Sequence, residues 1–147
     1  MARPALTLSL QFADAGDKTL LPRHKVKRWL AAALSRPAEI TVRCVEAVEG
    51  RNLNHDYRGA DHATNVLTFA YQSEPKVVAD LVLCSPVIRR EAAEREIDLQ
   101  AHYAHLVVHG ALHAQGLDHQ DQATAHAMET AESEILTALG LRDPHRG

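Results

Sequence analysis

The stretch His105-Leu-Val-Val-His109-Gly-Ala-Leu-His113-Ala-Gln-Gly116-Leu-Asp118-His119 decides how this chain is organised. Apolar residues fill the positions between the first three histidines, which is typical of a buried helix, and we predict a helix over about residues 99–115. Gly116 follows, where a glycine can take the left-handed conformation that ends a helix. The stretch therefore predicts a central helix with histidines on its last turns, and a turn that brings a further histidine back toward them.

Three of these histidines have the spacing of metal ligands. Residues four apart share a helix face, so His109 and His113 can bind one ion at roughly 2.0–2.1 Å from each nitrogen, and His119 can approach it after the turn. Three neutral nitrogens with an open fourth position are typical of a catalytic zinc site. We expect one divalent ion, most naturally Zn²⁺, although imidazole also suits nickel, copper and iron.

The neighbouring polar residues are assigned to other roles. His105 shares the face of His109, but it lies about 12 Å from His113 along the helix axis, so one ion cannot bind both. We predict that His105 packs against another helix or supports a ligand from behind, and that His102 and His126 face solvent. Asp118 either orients a ligand imidazole or is a turn residue.

The rest of the chain predicts an α+β fold. The predicted order is strand, helix, three strands and three helices, in one domain over residues 1–147 with one mixed or antiparallel sheet of about four strands. Helices pack on this sheet, and the metal site lies at the end of the central helix. The predicted segments are a strand over Leu6–Phe12, a helix over 18–35, a strand over 40–44 closed by Glu49-Gly50, a short helix over 53–58, strands over 66–69 and 77–84, a helix from an N-cap at Ser85 to about 96, and a last helix over 121–139.

Composition excludes several classes of protein. No apolar run approaches the ~20 residues that span a bilayer, and the first ten residues lack the features of a signal peptide, so we expect a cytoplasmic protein without a membrane partner. The net charge of −3 is not that of a protein that coats nucleic acid, so RNA binding would need a local basic cleft or a partner. Cys44 and Cys84 are expected to be buried thiols without a disulfide.

The histidine spacing also matches the HxxxHxxGxxH pattern of metzincin proteases. Those enzymes carry a glutamate directly after the first histidine as general base, whereas this chain has Gly110. The missing base argues against a peptidase, which stays an alternative.

The segment HGALHAQGLDH, residues 109–119, resembles the HGxLHxxGxDH signature of the YbeY family of bacterial endoribonucleases and rRNA maturation factors. The resemblance continues over most of the chain from about residue 40. Two positions depart from the family pattern, with Ala79 in place of glycine and Asn65 in place of aspartate. The other agreeing blocks are Leu53-Asn54, Tyr57-Arg58, Asp61, Thr64-Asn65-Val66-Leu67-Thr68-Phe69, Ala79-Asp80-Leu81, Met128-Glu129, Glu132, Ile135-Leu136 and Leu139-Gly140.

The resemblance implies zinc on His109, His113 and His119 and a functional role for Arg58. It also implies cleavage of single-stranded RNA during ribosomal RNA processing, notably at the 3′ end of small-subunit rRNA, and association with the small ribosomal subunit. DNA is not an expected partner. His113 and Arg58 are the expected catalytic residues, because metal-bound water has a pKa lowered to ~7 and a guanidinium stabilises phosphate charge.

Three further features of the sequence have alternative assignments. Asp118 and Asp80 are candidates for the general base by residue type alone. The basic residues Arg23, Lys25, Lys27 and Arg28, with His24, form either a solvated helix face or a set of phosphate contacts. A fourth zinc ligand, from His55 or His62, would instead favour a non-enzymatic ribosome-assembly factor with structural zinc.

Overall fold

The computed structural model describes residues 5–59, 64–117 and 122–145, and these form four strands and six helices. The α+β class predicted from the sequence is confirmed. In chain order the elements are β1 (Leu6–Phe12), α1 (Ala15–Leu20), α2 (Arg23–Ala33), β2 (Ala38–Val45), α3 (Ala47–Arg58), β3 (Val66–Gln72), β4 (Val77–Cys84), α4 (Ser85–Arg95), α5 (Leu99–Ala114) and α6 (Gln122–Ala138).

The strands form one mixed sheet in the order β1-β2-β4-β3. β1 pairs with β2 and β2 with β4 in parallel, while β3 is antiparallel to β4. Successive side chains of a strand face opposite sides of the sheet. Cys44 belongs to the large apolar cluster that includes α5, whereas Cys84 belongs to the smaller cluster on the other face, which includes Leu53 of α3. Both thiols are buried and free, as predicted.

Helix α5 lies at the centre of the large cluster. Tyr103, Val107, Val108 and Ala111 are fully buried, and the helix contacts β3 and β4 on one side and α2, α4 and α6 on the others. Gly110 allows the closest approach to the sheet, since a Cβ atom there would lie 2.9 Å from Cδ2 of Leu81. The sheet side of α5 is therefore tightly packed, and its histidines lie on the sides that contact other helices.

The helix predicted over residues 18–35 is wrong in one respect, because the chain forms two helices there. α1 ends before Leu21, and Pro22 is the extended N-cap residue of α2. Proline lacks an amide hydrogen and disfavours helical backbone at the residue before it, which explains the break. Pro22 therefore precedes α2 as its cap residue.

The starts of two further helices differ from the prediction. α3 begins at Ala47, so the residues expected to close β2, Glu49 and Gly50, lie inside a helix. Ser85 is the first residue of α4 rather than its cap, which is Cys84. The helix-ending role predicted for Gly116 is confirmed by its φ angle of 102°, and Gly140, which follows α6, has a φ angle of 82°. Within the described ranges, no helix is both long and apolar enough to cross a membrane.

Candidate metal centre

A buried carboxylate of α6 fixes the orientation of His109, the first predicted metal ligand, and decides which of its nitrogens carries the hydrogen. Nδ1 of the half-buried His109 lies 2.5 Å from Oε2 of Glu132, whose side chain is 3% exposed. An ionised carboxylate only accepts hydrogen bonds, so Nδ1 carries the hydrogen and donates it. Nε2 is then the nitrogen that a metal would use. A carboxylate behind the imidazole is the usual partner of a metal-binding histidine.

The turn after α5 fixes the second predicted ligand in the same way. Nδ1 of His113 donates to the carbonyl oxygen of Leu117 at 3.1 Å. The positive φ of Gly116 turns the chain back, and the amide of Leu117 donates to the carbonyl oxygen of Leu112 at 3.2 Å. His109 and His113 thus both use Nδ1 within the protein, one helical turn apart, as metal ligands do. His119 and Asp118 lie outside the described residues, and their predicted roles stay predictions.

Glu132 also contacts two histidines that were not predicted as ligands. Its Oε1 accepts hydrogen bonds from Nε2 of His105 at 2.9 Å and from Nε2 of His145 at 2.8 Å. Burial alone would raise the pKa of Glu132, but the hydrogen bonds from His105 and His109 outweigh it and hold that pKa well below its usual range. His105, Glu132 and His145 bring three potential ligand atoms within 4.8 Å of one another and could hold a metal ion.

The roles of Glu132 and His145 were not predicted from the sequence. Both lie far along the chain from His105. They meet it only because α6 and the C-terminal turn, residues 143–145, pack against α5. Glu132 was visible only as one member of a block that resembles the family. His105 was predicted to pack or to support a ligand from behind, and its contact with Glu132 agrees with that interpretation.

His102 is buried, so the prediction that it faces solvent is wrong. It is 2% exposed, and its Nε2 lies 2.9 Å from Oε1 of Glu91, which also accepts a bond from the Asn65 amide at 3.1 Å. The error arises because α4 covers this side of α5. An aspartate in place of Asn65 would set a second carboxylate against Glu91. His126 is exposed on α6, as predicted.

The ionisation of this buried pair follows from its surroundings. Burial lowers the pKa of His102, and the hydrogen bond with Glu91 only partly offsets it. Burial would raise the pKa of Glu91, but hydrogen bonds from His102 and Asn65 lower it overall. The pair therefore favours a neutral imidazole beside an ionised carboxylate.

A cavity of about 350 Å³ opens beside these groups. A larger one of about 600 Å³ shares Arg95, His102 and His105 with it. These volumes are of the size that holds small molecules, so they can admit an ion and part of a nucleotide. Residues that line the smaller cavity include Asn65, Arg95, His102, His105, His109 and His145.

The remaining predicted site residues, Arg58, His55 and His62, are described only in part. Arg58 is the last residue of α3 before the left-handed Gly59, and its side chain lies outside the described part of the structure. His62 also lies outside the described residues. His55 is largely exposed, with Nδ1 3.6 Å from a carboxylate oxygen of Asp56. A fourth ligand from His55 or His62 stays a prediction.

Asp80, one of the two candidate general bases, does not lie with the α5 histidines. It accepts a hydrogen bond from the Tyr71 hydroxyl at 2.9 Å. Its neighbour Leu81 faces α5, so the alternation of β4 directs Asp80 to the opposite face of the sheet. That face is remote from the α5 histidines.

The basic residues of α2 are largely used within the protein. Arg23 donates to the carbonyl oxygen of Leu8 at 2.7 Å, and Lys25 donates to the side chain of Gln100 at 2.9 Å. Arg28 donates to the carbonyl oxygen of Leu139 at 3.5 Å. These contacts weigh against a dedicated phosphate-binding face on α2.

Comparison with known proteins places this site in a family. A family model described as "Endoribonuclease YbeY" matches residues 15–140. The Endoribonuclease YbeY of Methylibium petroleiphilum is 64% identical over 144 residues, covering 98% of this chain and 97% of that protein. The one from Albidiferax ferrireducens is 58% identical over 144 residues, covering 95% of this chain and 97% of that protein.

A solved structure shows the same fold. The solution structure of a Thermotoga maritima protein aligns with a TM-score of 0.62 over 96% of this chain and 100% of that chain, at 23% identity. The family match over residues 15–140 and the relatives of 58% and 64% identity confirm the resemblance carried by residues 109–119. The chain belongs to the YbeY family of endoribonucleases.

Proposed function

We propose that this chain is a metal-dependent endoribonuclease that cleaves single-stranded RNA in ribosomal RNA processing, with the 3′ end of small-subunit rRNA as its target. Its relatives, which match nearly the full chain, are named Endoribonuclease YbeY. The observation that carries the proposal is the fixed pair His109 and His113, each with Nδ1 bonded within the protein.

The metal ligands in this proposal are His109, His113 and His119. A zinc ion held by these three histidines would supply Lewis acidity, which lowers the pKa of a bound water. Glu132 holds the His109 ring in the orientation that directs Nε2 outward. Glu132 itself is too buried and too fully bonded to act as a base toward substrate.

The remaining chain contributes substrate binding. Arg58 holds a phosphate of the RNA and stabilises the charge that develops during cleavage. The cavity beside His109, about 350 Å³ in volume, receives the nucleotide next to the scissile bond. With a net charge of −3, the chain depends on the small ribosomal subunit for target choice, and we place it in the cytoplasm with that partner.

A peptidase is less well supported than a ribonuclease. Position 110, which carries the base in metzincin proteases, faces Leu81 and Thr68 of the sheet. A glutamate there would have to enter the core. The other alternative is a non-enzymatic assembly factor. A measurement of RNA cleavage distinguishes it from a ribonuclease.

The test is cleavage of ribosomal precursor RNA and an unstructured RNA by the zinc-loaded chain. His113→Ala and the exposed control His126→Ala are purified in parallel, because a trace contaminating ribonuclease would mimic activity. We expect wild type and His126→Ala to cleave, a chelator to stop them, and folded His113→Ala to be inert. Arg58→Ala should bind zinc normally and cleave about 100-fold more slowly. Equal cleavage by all variants, or none by any, would favour the assembly factor.

A further inference from the structure

The carboxylate of Glu132 has two oxygens that face different partners. Oε2 contacts His109, while Oε1 contacts both His105 and His145. Only the first contact is explained by the predicted zinc site. The second joins α5, α6 and the C-terminal turn around one oxygen atom, next to a cavity that an ion can enter.

We propose that His105, Glu132 and His145 form a second divalent transition-metal site, separate from the ion on His109 and His113. Two imidazoles and one carboxylate are a ligand set that binds zinc with an open fourth position. The ligand atoms lie within 4.8 Å of one another. A tetrahedral zinc needs ligand atoms roughly 3.3 Å apart, given its ~2.0–2.2 Å bonds. The distances of 2.9 Å and 2.8 Å from Oε1 need to widen by only a few tenths of an ångström.

The two sites do not compete for the same atoms. Nδ1 and Nε2 lie on opposite edges of an imidazole ring, so an ion on Nε2 of His109 lies across the ring from Glu132. The second ion would instead lie on the Oε1 side of the carboxylate. Glu132 can therefore hold His109 through one oxygen while it binds an ion through the other.

Hydrogen bonds through Asp143 hold the C-terminal turn, which carries His145, against α6. The backbone amide of His145 donates to Oδ1 of Asp143 at 2.9 Å, and the hydroxyl of Ser133 on α6 donates to the same oxygen at 2.7 Å. These bonds tie the turn to the helix that carries Glu132. Because the carboxylate is 3% exposed, a cation that displaces its two Oε1 hydrogen bonds would take over the compensation of its charge.

The test counts zinc ions in the full chain after metal is stripped with chelator and the chelator removed. Calorimetric titration with ZnCl₂ should show two equivalents in wild type and in the control His126→Ala, which also lacks one exposed histidine. His145→Ala should keep the tighter event and weaken the other more than tenfold. His113→Ala should keep the event that His145→Ala loses.

A second measurement uses Co²⁺ as a probe, because its visible absorption reports ligand geometry. The spectrum added by the second equivalent should be absent in His145→Ala, while circular dichroism shows that this variant is folded. A single equivalent in wild type, or a second one that survives His145→Ala, overturns the proposal and leaves a hydrogen-bond network only. RNA cleavage is a separate readout, so failure of the second site does not count against the proposed activity.

Discussion

Oε2 of Glu132 on α6 lies 2.5 Å from Nδ1 of His109 on α5. This contact fixes both the tautomer and the orientation of the imidazole, because an ionised carboxylate accepts only. The metal-binding face of α5 is therefore set by a different helix, and its geometry depends on how α5 and α6 pack.

Glu132→Gln is expected to weaken the tighter zinc-binding event by about 10–100-fold, the usual cost of losing such a carboxylate. The amide keeps the shape but is a weaker acceptor and carries no charge. Calorimetric titration with ZnCl₂ checks this, with the exposed Glu134→Gln on the same helix as control. An affinity within threefold of wild type would mean that Glu132 does not position His109.

Gly110→Ala is expected to destabilise the protein by about 1 kcal/mol. The added Cβ would lie 2.9 Å from Cδ2 of the fully buried Leu81, and overpacking costs about 1–3 kcal/mol, partly offset by about 1 kcal/mol of helix propensity. Urea denaturation measures the change. In a Leu81→Val background, which removes the δ carbons, the same substitution should cost less. A stabilised single variant would contradict the close approach of α5 to β4.

His102→Gln is expected to flatten the dependence of stability on pH. The folded pKa values of His102 and Glu91 are both lowered, so the unfolded chain binds more protons as the pH falls. Wild-type stability should decrease below the ordinary histidine pKa of about 6.5, and further below that of a carboxyl group near 4.3. Urea midpoints from pH 7.5 to 5 should fall less for His102→Gln than for wild type.

Exposed His126 supplies the control for that measurement. His126→Gln should keep the wild-type slope, because its imidazole is in solvent in the folded chain. If the slopes of His102→Gln and wild type coincide, the buried pair does not control the acid sensitivity.

Both thiols are expected to resist modification in the folded protein. Burial, with Asp17 nearby, raises the pKa of Cys44 to about 12, and burial also raises that of Cys84. Because the thiolate is the reactive form, Ellman's reagent at pH 8 should detect almost no thiol in the native chain and two after unfolding in urea. Rapid reaction of one thiol in the native state would show that its strand is open to solvent.

Local features of the sequence were sufficient for much of the fold. The strand over 77–84 was predicted with its observed bounds, and α5 was predicted to within one residue of its observed end. Apolar periodicity and glycines at positive φ act within a few residues, so they can be recognised without knowledge of the fold. The break at Pro22 was also encoded locally, but the apolar pattern of residues 18–35 continues across it.

The sequence by itself determined the HxxxHxxG arrangement, since i and i+4 on one helix share a face wherever that helix packs. Only the tertiary structure decided what lies behind those histidines. The meeting of His105, His109 and His145 at Glu132 depends on the packing of α6 and the C-terminal turn against α5. The burial of His102 and the outward face of Asp80 likewise depend on which elements cover each side, and contacts between residues distant in the chain leave no periodic signal.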